Sequence, residues 1–216
     1  MSKKELTKRY ILFISSLFFI GIGIAMAKQA DLGISPISSV PCVLSIKFSF
    51  LSLGTWLFIS NMVMLTAQIL ILRRRFQLIQ LLQIPLSIIY GSFTDLAMIP
   101  IKHIPVNPVT QTAMICVSVV VLGFGISLGV IANVLLNSPE ALIKTISDET
   151  GKNFGNVKVT FDVCWVAFAA LLALIFGEGS IRAIGIGTLI IAVTVGFMVK
   201  FFKKMLEKPL TEILTK

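Results

Sequence analysis

An all-α membrane protein, six transmembrane helices as a 3+3 inverted repeat with two short interfacial or re-entrant helices, is the fold this sequence predicts. Three observations predict it. Of the 216 residues, 56% are hydrophobic and only 13% charged, too little polar surface to cover a water-soluble globule. The apolar residues fall into six runs, each near the length a helix needs to cross about 30 Å of hydrocarbon. Residues of the first half recur, in order, in the second.

The chain therefore reads as one polytopic membrane domain whose first partner is the lipid bilayer, which excludes a soluble enzyme. The net charge of +9 sits in short clusters between apolar runs. That pattern anchors cytoplasmic ends of membrane proteins and does not form the aromatic-interleaved basic face that nucleic acid requires. Cys42, Cys116 and Cys164 have no CxxC spacing and no histidine partner, so they encode neither a zinc site nor a disulfide framework and read as small packing residues. No metal or cofactor is expected.

Span one, residues 11–27, follows the basic start Lys3, Lys4, Lys8, Arg9. Its end, Ala25-Met26-Ala27, resembles a signal-peptide cleavage box, but the span has a mate later in the chain and is expected to stay in the fold. Span two, 53–72, stops at Arg73-Arg74-Arg75, which hydrocarbon excludes. Span three, 78–99, opens on Gln77, Gln80 and Gln83 and closes on Thr94 and Asp95; Asp95 is expected to snorkel or salt-bridge at the membrane edge. Pro100, Pro105 and Pro108 predict a non-helical connection, with His103 as a solvated surface residue. Spans four, five and six cover 113–136, 157–176 and 181–199, the last two separated by a turn at Gly177-Glu178-Gly179-Ser180.

The internal repeat is carried by ordered pairs. Gly21-Ile22-Gly23 meets Gly123-Phe124-Gly125, Ser35-Pro36 meets Ser138-Pro139, Gly54 meets Gly155, and Asn61 meets Asp162. Repeat one covers about 9–102 and repeat two about 110–205. Three spans per repeat is an odd number, so the second repeat enters from the opposite side, the inverted arrangement of many secondary transporters. The Lys/Arg bias agrees. With the N-terminus inside, Lys3, Lys4, Lys8, Arg9, Arg73, Arg74, Arg75, Lys144, Lys152, Lys158, Lys200, Lys203, Lys204, Lys208 and Lys216 are cytoplasmic, and only Lys28, Lys47, Lys102 and Arg182 lie outside. Both termini are expected in the cytoplasm.

Each Ser-Pro predicts a short helix start, serine capping free N–H groups and proline occupying the first turn. The second of these helices, 139–152, carries Glu140, Lys144, Asp148, Glu149 and Lys152 and is too polar to cross; by symmetry the first, 36–50, should not cross either. Either they lie flat at the interface, with Asp31, Asn133 and Asn137 as caps, or they dip inward and aim their positive N-terminal ends at a solute. In the second case Asp31, Ser35, Asn133, Asn137 and Ser138 line a site. Asp162 has Asn61 as its repeat mate, and an ionisable residue at membrane depth suggests a lined cavity. The pair reads either as a coupling-ion site or as a helix contact in which Asp162 pairs with Lys158 one turn earlier.

Gly21-xxx-Ala25 and Gly125-xxx-Gly129 are small-xxx-small patterns that predict close packing of spans one and four. Gly125-Ile126-Ser127-Leu128-Gly129 also matches the G-x-S-x-G nucleophile motif, but span six brings no histidine and an unactivated serine is not a nucleophile. The chain is not expected to be an enzyme.

Ala30-Asp31-Leu32-Gly33-Ile34-Ser35-Pro36, with Leu53-Gly54-Thr55-Trp56 opening span two, resembles the YczE/YitT-like family of bacterial integral membrane proteins. The second repeat departs from that motif, reading Asn133-Val134-Leu135-Leu136-Asn137-Ser138-Pro139. The resemblance implies a bacterial inner-membrane location and brings no substrate. The function expected is transport or export of a small solute by alternating access, with Asp31, Ser35, Asn61, Asn133, Ser138 and Asp162 as candidate binding residues. The alternative is a substrate-binding or accessory subunit driven by a separate energising partner; a homodimer is compatible with either.

Overall fold

A computed structural model describes residues 3–177 and 182–215. They form eight α-helices and no strand: α1 (Lys3–Ala30), α2 (Ser39–Lys47), α3 (Leu53–Leu72), α4 (Gln83–Ile101), α5 (Pro108–Ala132), α6 (Ser138–Thr150), α7 (Phe154–Phe176) and α8 (Ile186–Thr215). Six of these, all but α2 and α6, are long and apolar enough to cross a bilayer. The chain is a multi-pass integral membrane protein.

The antiparallel pair α1 and α5 forms the centre, with more than half of its apolar stretch buried in α5 and half in α1. A side chain at Gly23 would meet Leu122, and one at Gly125 would meet the Ile20 backbone, so these positions let the two axes approach. Gly21 instead faces Phe93 and Thr94 of α4, while Gly123 faces Met198 of α8. The seam expected from Gly21-xxx-Ala25 is thus divided between two neighbours. Outside this centre, α3 packs on α4 and α6, and α7 packs on α2 and α6.

Both termini lie at one end of the bundle, where Lys8 Nζ donates to the Ile213 carbonyl at 2.9 Å. Arg9 reaches the free carbonyls that close α5, bonding Ala132 O at 3.1 Å, while pairing with Glu5 at 3.0 Å; a cation there answers the negative helix end. Arg75 and Glu149 pair at the same end, 2.8 Å apart. At the other end Asp31 meets Arg182 at 3.3 Å and Lys47 lies over the Phe176 ring.

Several boundaries differ from expectation for local reasons. Helix α4 runs through Pro100 to Ile101, so the bond the proline cannot donate is lost only in the last turn; only Pro105 is in the loop, and Pro108 opens α5 behind a capping box at Asn107 and Thr110. Helix α5 stops at Ala132, four residues before the apolar run ends, because Asn133 turns left-handed at φ 49°. Asp31 ends α1 the same way at φ 55°, a conformation Asn and Asp accept more readily than other side chains. Helix α8 continues through the basic cluster to Thr215. Of the expected turn at 177–180, only Gly177 lies within the described residues, as does no start of span six at Ile181.

Candidate functional site

The two Ser-Pro segments lead into the bundle. The first makes one 3₁₀ turn, Pro36–Ser38, and then α2; Pro36, Ser38, Ser39 and Val40 are all buried. Trp165 Nε1 donates to the Ile37 carbonyl at 2.9 Å, and Trp165 is the central residue of α7. The second starts α6 at Ser138, which is 1% exposed and whose carbonyl accepts from Gln68 Nε2 at 3.0 Å. Both helices therefore start buried within the bundle, with their far ends toward its opposite ends.

The serines do not cap as expected. Ser35 donates to Ser38 Oγ at 3.0 Å, and Ser138 is the first helical residue, with Asn137 before it making no side-chain cap bond. The hydroxyl of Ser138 has no hydrogen-bond partner among the described residues, and neither has Glu140 Oε2, although both atoms are sealed from solvent. Orphaned buried polar atoms are rare, and each calls for a physical account.

Ser138 borders a small chamber. Phe13, Asn61, Gln83, Leu86, Ser87, Tyr90, Leu136, Asn137 and Ser138 line a cavity of about 10 Å³, close to the minimum for one water. Asn61 Nδ2 donates to Ser87 Oγ at 3.2 Å. Below it, Gln68 and Gln83 pair amide to amide, at 3.4 and 3.3 Å. The Tyr90 phenol lies beside the Ser38 hydroxyl of the first short segment and within electrostatic reach of Glu140 in the second. One tyrosine thus bonds the first short segment and lines the chamber beside the start of the second.

Of the residues singled out from sequence, Asn61, Asn137 and Ser138 share the chamber, and Ser35 joins it at one remove through Ser38. Asp162 sits behind it, salt-bridged to Lys158 at 3.1 Å and within electrostatic reach of Glu140. Asn61 and Asp162 are not paired with each other. Asp31 and Asn133 are elsewhere, ending their helices, with Asp31 bound to Arg182 and Asn133 exposed. Asp95 neither snorkels nor salt-bridges; it accepts from Gly54 N–H at 2.8 Å and from Ser52 Oγ at 2.5 Å, closing the N-terminus of α3. Ser127 is fully buried and donates to the Phe124 carbonyl at 2.7 Å.

Ser87, Tyr90 and Gln68 were not among the sequence candidates. A signal existed: Gln83, Ser87, Gly91 and Thr94 are the buried residues of α4, a polar and small stripe at helical spacing, opposite Gly54, Asn61 and Gln68 spaced by sevens on α3.

No curated protein and no solved structure matches the chain. A family model described as a family of unknown function, DUF6198, matches residues 7–204. With nearly every described helix inside that match, the chain belongs to the DUF6198 family.

Proposed function

We propose that this protein is a secondary transporter or exporter of a small solute, working by alternating access at the chamber between the two re-entrant helix starts. The observation that carries this reading is that the start of the second short helix, Ser138, lines a chamber with Asn61 and Tyr90, that Tyr90 also meets Ser38 of the first, and that the Ser138 hydroxyl has no partner among the described residues. Broken helices that meet at mid-depth are how transporters offer free backbone and side-chain groups to a solute.

The 3+3 inverted repeat belongs to this proposal, and three correspondences support it. Gly21 packs on the third span and its mate Gly123 on the sixth. Asp31 and Asn133 end equivalent helices in the same left-handed conformation. Helix α3 packs on the short helix of the other half, and α7 does likewise. The bacterial inner membrane, with both termini cytoplasmic, follows from the Lys/Arg bias and from the resemblance to YczE/YitT-like proteins.

Single cysteines test it. In a variant lacking the native three, Ser35→Cys is expected to react with an impermeant maleimide only from outside intact cells and Ser138→Cys only from inside, and a transported solute should block both. A solute found by such protection should then enter liposomes that contain the protein alone. Labelling of both sites from one side would overturn the inverted repeat. Protection without movement would favour an accessory subunit that needs an energising partner.

A further inference from the structure

We infer that Glu140 is a proton-binding site, the carboxyl taking up one proton from water and holding it where its Oε2 is sealed from solvent. The inference goes beyond transport, because it holds whatever solute the chamber takes.

Four observations carry it. Glu140 occupies the first turn of α6, and its Oε2 is sealed from solvent with no hydrogen-bond partner among the described residues. The carboxyl folds back toward its own backbone N–H, so the positive end of α6 is already answered from within the helix. Lys158, a cation within electrostatic reach of Glu140, is held by Asp162 at 3.1 and 3.3 Å, and that pair is neutral. Glu140 is then the uncompensated member of a group with one negative charge in excess, and a buried carboxylate without its own counter-ion is costly.

The groups facing Glu140 are few. Helix α7 brings Lys158 and Asp162, α4 brings Tyr90, and α6 itself brings Lys144, which pairs with Asp148 at 3.1 Å. Helix α3, packed along α6, has no ionisable side chain. Burial pushes the Glu140 carboxyl above the usual range, and the Lys158 charge opposes this. From sequence Asp162 reads either as a coupling-ion site or as a helix contact paired with Lys158, and the structure makes that pair.

Infrared difference spectroscopy on the full chain in lipid, with buffer exchanged between about pH 4 and about pH 9, reads the proton directly through the carboxylic acid C=O stretch. The wild type should show an acid band that disappears above the ordinary glutamate pKa of about 4.3. Glu140→Gln, which has the shape of the protonated acid, should lose that band, and Asp162→Asn, which frees Lys158 to face Glu140, should make it disappear at lower pH than in the wild type. A group protonated more strongly in the folded state gives stability that fades as pH rises through its folded pKa. The wild type should therefore lose thermal stability relative to Glu140→Gln as pH rises above the ordinary range. A band that survives in Glu140→Gln, or a wild type with no such band, would overturn the proposal. So would a band that appears only when sodium is withdrawn, which would make Glu140 a metal-cation ligand instead.

Discussion

Asp95 and Gly54 illustrate how a residue's surroundings redefine it. A carboxylate near a membrane edge invites a salt bridge, yet Asp95 spends both oxygens on the start of α3, at Ser52 and Gly54. That geometry needs the α3 and α4 backbones in contact, and a side chain at Gly54 would overlap the Gly91 carbonyl oxygen. Because backbone cannot yield as a side-chain tip can, Gly54→Ala should destabilise by at least the 1–3 kcal/mol typical of overpacking. It should lower the melting midpoint in detergent more than Gly23→Ala, whose obstacle is the movable Leu122 side chain; equal effects would sink this account. Cys42, in α2, has its thiol pushed up to about 11 by burial, which explains its packing role, since the reactive species is the thiolate.

At the scale of elements, two short helices are held inside the bundle by side chains from other spans. Trp165 of α7 holds the first at the Ile37 carbonyl, and Gln68 of α3 holds the second at the Ser138 carbonyl. A net hydrogen bond is worth about 1 kcal/mol, so Trp165→Phe and Gln68→Met should each cost that order of stability. Their effects on accessibility should separate: Trp165→Phe raises maleimide labelling at Ser35→Cys, and Gln68→Met raises it at Ser138→Cys. Labelling that rises equally at both sites in both variants would mean general loosening instead of separate tethers. The short helices were legible as elements from Ser-Pro and from the charge of the second. Their depth was not, because the first, apolar on nearly every side, suits an interface as well as an interior.

The whole molecule is organised around an antiparallel α1 and α5 pair, with the remaining spans exposing most of their apolar surface, as little as 11% of the α7 window being buried. Lipid is the natural cover for such faces. Orientation belongs to this scale. Both termini share one end with Arg73-Arg74-Arg75, and the proposed orientation has that end in the cytoplasm. Green fluorescent protein fused at either terminus should fluoresce, and alkaline phosphatase placed in the loop at His103 should be active. Activity of a phosphatase fused at the C-terminus would reverse the orientation.

Composition and hydropathy by themselves determined the membrane class, the six spans and the existence of two short helices between them, because a bilayer imposes length and polarity on each segment separately. The same local logic located Asn61 and Ser138 as unusual residues at notable depth. Only the tertiary structure decided that they share a chamber with Tyr90 and Ser87, that Asp31 and Asn133 instead end helices, and that Glu140 Oε2 is left without a hydrogen-bond partner among the described residues. Those facts depend on which faces of distant helices meet, and a polar side chain in a span looks the same in sequence whether its partner is one turn away, as with Lys158 and Asp162, or on another helix altogether.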